Sequence, residues 1–433
     1  MLVNDARSIA PSNQRVPSSS RFAPLALPLV VVRRLVLPGL AIVGLASLAS
    51  CSSEAGQASV SLAPLPRSSA TSEVIAPTTT VAPATTVPTT LVPNDGKQAS
   101  ERRLSLVNKI ADDSLQPKSI VHSGTGLFFA QNMMYRHNVT VLDRTGKIVA
   151  RINDRVDLRN FGIDPGKRAA VVKGSPVEAA FTSDGRFAYV SNYKMYGDGW
   201  NPIADDTCQG KNWDPSFVYR IDATTFAIDQ VIPVGAVPKF LAVTPDNSTL
   251  IVSNWCSLDV SIIDLASGAE RGRVEVGLHP RGIAVSPDSK VAYVAVMGGA
   301  KIVAINLTDL ATRIIDSAGP TPRHLVLSPN GEILYVTNNL AGTVREIEVA
   351  SGKLLRSVRS GTEPRSMSIS EDGTSLYVVN YEDAALTKID TAKMKVIQSL
   401  ETGFHPVGIT YDAATRSVWV ANYSGSLWVY EDR

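Results

Sequence analysis

The chain is 433 residues long, 44% hydrophobic and 19% charged, with a formal net charge of +2. That length suits about three ordinary domains. The small net charge points neither toward nor away from an anionic partner. With 6% aromatic residues and no basic run interleaved with aromatics, the chain lacks the footprint of a nucleic-acid-binding protein.

Residues 1–34 carry scattered arginines ending in Arg33-Arg34. The apolar run 35–48 follows and leads into Leu48-Ala49-Ser50-Cys51. A basic region, a short apolar core and small residues before a cleavage point are the features of an export signal. The run falls short of the ~20 residues a membrane span needs, and Pro38 and Gly39 interrupt it. Small residues followed directly by cysteine resemble a bacterial lipobox. The resemblance implies that residues 1–50 are a signal peptide and that Cys51 becomes the lipidated first residue, holding the mature protein at the extracytoplasmic side of a cell membrane. Arg33-Arg34 also resembles the pair of a twin-arginine signal, so the export route stays open. Residues 51–100 contain TSEVIAPTTTVAPATTVPTTLVP, rich in Thr, Pro and Ala and nearly free of charge. Such composition cannot bury a core and reads as an extended stalk.

From Pro117 onward one motif recurs. Pro322 opens PRHLVLSPNGEILYVTN: an apolar strand, a turn at Ser328-Pro329-Asn330-Gly331, and a second strand ending in Tyr335-Val336-Thr337-Asn338. Equivalent segments open at Pro238, Pro280, Pro364 and Pro406, so five copies follow one another at intervals of 42 residues. Two more open at Pro117 and Pro176, and the intervals after them are 59 and 62 residues, so each holds an insertion. A period of ~40 to 50 residues with several short strands per unit marks a propeller blade. The motif resembles the YVTN-repeat family of seven-bladed β-propellers over roughly residues 102–433. The resemblance implies an all-β domain, residues 101–433, built of seven four-stranded antiparallel blades, and leaves function open.

Within the fifth copy the strands are expected at 323–327, 333–337, 343–349 and 353–358, lettered a to d from the channel outward. Turn residues separate them: Asn330-Gly331, Asn338-Asn339 and Ser351-Gly352. The last copy has room for only three strands. The segment RRLSLVNKI, 102–110, stands where every other copy has strand d, just ahead of the repeat proline. It is therefore expected to complete the last blade, close the ring and remove the open sheet edge. The d-to-a and b-to-c loops share one end of the ring, the top. Both insertions, 153–175 and 193–216, fall there, and long loops on a rigid scaffold mark a binding face.

Cys208 lies in the second insertion and Cys256 in the b-to-c loop of the third blade. Both belong to the top of neighbouring blades in an exported protein, and with Cys51 lipidated they are the remaining thiols, so a bridge is expected. Asp198, Asp205, Asp206 and Asp214 share that insertion but lack the spacing of a calcium loop. Trp200, Trp213 and Trp255 cluster near the cysteines, either to meet a ligand or to pack the bridged loop. No Gly-x-Ser-x-Gly, phosphate loop, Cys-x-x-Cys or paired metal-binding histidines is present.

The residue after each repeat proline begins the innermost strand: Lys118, Val177, Lys239, Arg281, Arg323, Arg365 and Val407. Five cations thus converge on the channel mouth, where like charges repel unless neutralised. Carboxylates such as Glu178 or Glu363 can pair with them, or the ring can bind an anion. His279 and His405 precede Pro280 and Pro406 at the same level, to cap a turn or act as a base. Lys118, Lys239, Arg281, Arg323, Arg365, His279 and His405 form the candidate ligand-binding set. No catalytic residue, metal or cofactor is assigned. The expected protein is a monomeric, lipid-anchored binding module for an anionic small molecule, a glycan or an envelope protein. Resemblance to lactonase-like propellers, or to surface-layer propellers, implies a hydrolase or a structural envelope protein instead.

Overall fold

The computed structural model describes residues 95–208 and 213–433. Seven four-stranded antiparallel sheets surround a central axis. Blade five runs Pro322–Leu327, Ile333–Asn338, Thr343–Glu348 and Leu354–Arg359, within a residue or two of the expected strands. The ring closes as expected: Leu104–Ala111 lies antiparallel to Ser426–Asp432 as the outermost strand of blade seven. Cys51, the lipobox and the stalk up to residue 94 lie outside the described residues. Pro202–Thr207 is a short α-helix, and no helix among the described residues is long and apolar enough to cross a membrane.

Blades stack face to face, so their central strands are buried on both sides. Thr249–Asn254, Ser375–Asn380 and Ser417–Asn422 are buried along their whole length. That explains why their sequences are continuously apolar rather than alternating. The outermost strands face solvent: in Leu354–Arg359 no residue is fully buried. Each of the seven interfaces between neighbouring blades holds one apolar cluster. The cluster between blades six and seven includes Leu104 from the closing strand.

The asparagine that ends strand b has a structural task. Asn132, Asn192, Asn254, Asn338, Asn380 and Asn422 are fully buried beneath the loop that leads into the repeat proline. The glycine three residues before that proline makes room. A Cβ on Gly235 or Gly403 would stand 2.6 Å from the amide carbon of Asn254 or Asn422. Blade four lacks the asparagine, with Val296 in its place.

The closing strand carries a polar latch. Lys388 and Asp432 are both fully buried and paired at 2.6 Å. Lys388 Nζ also donates to the carbonyls of Ala99 at 2.6 Å and Arg102 at 3.0 Å. Tyr377 donates to Asp432 Oδ2. Arg103 and Arg433 exchange backbone hydrogen bonds of 2.7 and 3.0 Å, joining the two ends of the ring.

Candidate functional site

A repeated backbone irregularity builds the channel mouth. In blades two to seven the innermost strand slips register at the residue after the repeat proline, as between Pro322 and His324 or Pro364 and Ser366. In blade one, Lys118 N and Ser119 both face Gln131. Such a bulge bends the strand and re-aims the extra residue. Here it turns the expected ring, Lys118, Val177, Lys239, Arg281, Arg323, Arg365 and Val407, into one mouth. Glu178, Phe240, His324 and Ser366 line the mouth with them. The residue before the proline adopts left-handed backbone in five blades: Val237, His279, Thr321, Glu363 and His405 have φ between 50° and 61°. This conformation is costly for β-branched residues, and strain of that kind collects at functional faces. A backbone N–H from the b-to-c loop holds each of the five, as Trp255 N does at the Val237 carbonyl.

The ring leaves a space of about 20 Å³, enough for one water-sized group. A cavity of about 140 Å³ lies below it, bounded by Ser119, Glu178, Phe240, His324, Ser366 and Gly408 among others. Arg323 is buried and the other four cations are half-buried. Arg365 pairs with Glu363 at 2.6 Å, one of the two carboxylates expected to neutralise the ring. Glu178 sits inside the ring and interacts electrostatically with Arg281 and Lys118. Among the described residues no ion pair within 4.0 Å engages Lys118, Arg281 or Arg323, though Arg323 Nε donates to the Arg365 carbonyl.

Burial and crowded charge shift several titrations here. Burial, then the guanidinium groups of Arg281, Arg323 and Arg365, push Lys118 down to about 7. Burial and the Arg365 charge lower Arg281 to about 10, and burial with its cationic neighbours takes Arg323 well below its ordinary value. Burial raises Glu178 to about 7 against the pull of a Ser119 hydrogen bond and of Arg281 and Lys118. His324 falls to about 3 for the same reasons of burial and adjacent guanidinium groups. It stays neutral and meets Phe240 edge-on at 5.2 Å across the channel.

The residue after the repeat asparagine is aromatic in four blades: Tyr193, Trp255, Tyr381 and Tyr423. These rings form a collar over the cations. Lys239 Nζ lies 3.8 Å from the Tyr193 centroid, Arg365 4.0 Å from Tyr381, Lys118 5.1 Å from Tyr423 and Arg281 5.9 Å from Trp255. Each contact is worth roughly 0.5 to 2 kcal/mol and offsets part of the repulsion. His279 stacks on Trp255 at 4.2 Å and His405 on Tyr381 at 4.0 Å. Both histidines are thus built into the collar, above the ring rather than in it. The sequence reading missed the collar, although its signal, an aromatic recurring at one repeat position, was present.

The insertions wall one side. Arg155–Asp157 pairs with Val171–Lys173 as a hairpin. Val156, Leu158, Val172, Met195 and Trp200 pack against Phe217, Tyr219 and Val231 of blade two in one core, fusing the two insertions to that blade. Trp200 belongs to that core and donates to the Ala169 carbonyl. Asp205 and Asp214 are buried there too: Asp214 accepts from Arg168 at 2.7 Å, and its N–H donates to Asp205. These carboxylates brace the loop, and no group of three or more metal-ligating residues occurs among the described residues. The Cys208–Cys256 disulfide is formed as expected. It packs with Trp213, Trp255 and Tyr193, tying the insertion to the collar.

Fold and mouth together define a seven-bladed propeller scaffold with a cationic, aromatic-collared channel entrance. Residues 217–416 match the family described as YNCE-like beta-propeller, and this match and the seven-bladed ring support a propeller like those of the YVTN-repeat family. No curated protein matches it. Among solved structures, one titled Kuenenia stuttgartiensis Hydrazine Synthase is similar at 19% identity and a TM-score of 0.56. The match covers 74% of this chain and 96% of that one, and is a likeness of fold.

Proposed function

We propose that the protein is a lipid-anchored, extracytoplasmic binding module that holds an anionic group at the top mouth of its channel. One observation carries the reading. Lys118, Arg281 and Arg323 converge where burial and mutual repulsion disfavour their charged forms; the carboxylates of Glu178 and Glu363 act on them only from a distance, and among the described residues no ion pair within 4.0 Å engages them. A fold does not keep such a cluster for stability; an incoming carboxylate or other oxyanion would relieve it, and guanidinium forks suit that geometry. Arg281→Gln with Arg323→Gln is expected to weaken binding of sulfate, the probe in titration calorimetry, at least tenfold, since each charge-assisted contact contributes about 1.5 to 3 kcal/mol. The ligand-free variant should melt at or above the parent temperature, because repulsion is removed. A lower melting temperature with unchanged sulfate affinity would show instead that the arginines are structural.

The reading also fixes a pH dependence. As pH falls through about 7, Glu178 loses its negative charge and Lys118 gains a positive one. Both changes make the mouth more cationic. Sulfate, which does not titrate in this range, should therefore bind more tightly at about pH 6 than at about pH 8. Flat or opposite behaviour in the same titration contradicts the site. The anchor is tested separately: Cys51→Ala should move the protein from the membrane fraction to the soluble fraction or medium, and retention in the membrane fraction would remove that part of the proposal.

A further inference from the structure

We propose that the top face docks a partner protein that presents a carboxylate to the cationic mouth and apolar side chains to the loops around it. The inference rests on the anion-binding reading and specifies what delivers the anion. Its first support is an asymmetry between the two faces. The most exposed large apolar side chains among the described residues are Ile203, Tyr135, Leu340 and Phe404, at 77, 76, 75 and 64% exposure. All four lie in b-to-c or d-to-a loops, and Leu278 at 53% joins them. The others of this kind sit on outermost strands or the insertion hairpin, and none occupies an a-to-b or c-to-d turn. The top face therefore carries an apolar rim around a cationic centre, while the bottom face carries no such rim. Apolar residues exposed together on one face mark an interaction site.

Charge complementarity sets the centre of the partner. The throat is narrow, about 20 Å³, which suits a small anionic group such as the tip of a side chain or a chain terminus better than a bulky ligand. Capture of a carboxylate ringed by apolar contacts is an established mode of polypeptide recognition. At the collar itself an acidic glycan fits less well, because sugars need free aromatic faces. His405 and Arg365 each lie 4.0 Å from the Tyr381 ring centroid, too close to share one face, so both faces are covered. His279 covers one face of Trp255. A lipid surface also fits less well: it is flat, whereas the ring is recessed beneath the collar and Arg323 is buried.

The test uses the full chain, immobilised, and a phage-displayed library of random dodecapeptides. Selected peptides should carry Asp or Glu flanked by Leu, Phe or other apolar residues. A synthetic copy of the leading peptide should lose at least tenfold in affinity when its acid is changed to the amide. It should lose as much on Ile203→Ser with Leu340→Ser, two exposed substitutions that leave sulfate binding unchanged and so report a folded mouth. Polygalacturonate and phosphatidylglycerol vesicles serve as rival probes. The inference is overturned if no acidic apolar peptides are selected, if the rim variant binds them as the parent does, or if either rival binds in their place. Absence of sulfate binding to the parent would defeat the anion reading itself, which keeps the two failures distinct.

Discussion

Lys388→Met is expected to lower the free energy of unfolding by about 3 to 5 kcal/mol, the usual consequence of removing one partner from a buried ion pair. Lys388 and Asp432 have no exposed side-chain surface. The ammonium's partners are Asp432 and the carbonyls of Ala99 and Arg102. The substitution leaves a buried carboxylate with only the Tyr377 hydroxyl, among the described contacts, to donate to it; the Arg102 carbonyl loses the ammonium, while the Ala99 carbonyl keeps the Arg102 N–H at 3.1 Å. Burial already pulls Lys388 below its ordinary pKa, and Asp432 opposes that pull, so the pair is held by its partner rather than by solvent. Adding Asp432→Leu should restore part of the loss by removing the uncompensated charge, but not all, because the Arg102 carbonyl loses its ammonium donor. Urea unfolding of the three variants measures both steps. A loss below about 1 kcal/mol for Lys388→Met would show that the latch contributes little.

Deletion of residues 101–113 is expected to destabilise all seven blades, because each blade buries its faces only against its neighbours. The deletion unpairs Ser426–Asp432, removes Leu104 from the core between blades six and seven, and takes away Arg102, which meets Asp95 at 3.1 Å and Glu371 at 3.5 Å. Amide exchange should accelerate in blades one and six as well as in blade seven, and the melting temperature should fall sharply. A permuted chain that joins Arg433 to the closing strand by a hairpin turn and opens between that strand and blade one should recover parental stability, since the pairing is already antiparallel with Leu104 opposite Asp432. A deletion variant that melts like the parent would mean that the strand is not needed for closure.

The blade count and the top-face insertions were legible from local spacing, and the closing strand and the disulfide from where the repeat topology puts distant segments. A proline, an apolar strand, a turn and an asparagine every 42 residues specify a blade whatever lies around them. The mouth was legible in part. The residue after the proline could be placed at the start of the inner strand, but the bulge that aims it into the channel is a register slip against strand b, as between Pro238 and Phe240.

The sequence by itself determined the recurring positions: a cation after the repeat proline in five blades and an asparagine at the end of strand b in six. Only the tertiary structure decided what those residues meet. Arg365 finds Glu363 two residues away, but Arg281 and Arg323 face each other and Arg365 from different blades, and His324 reaches Phe240 across the channel. Ion pairing and desolvation depend on distance through space and on water exclusion, and ring closure sets both by bringing together side chains that no linear spacing makes neighbours.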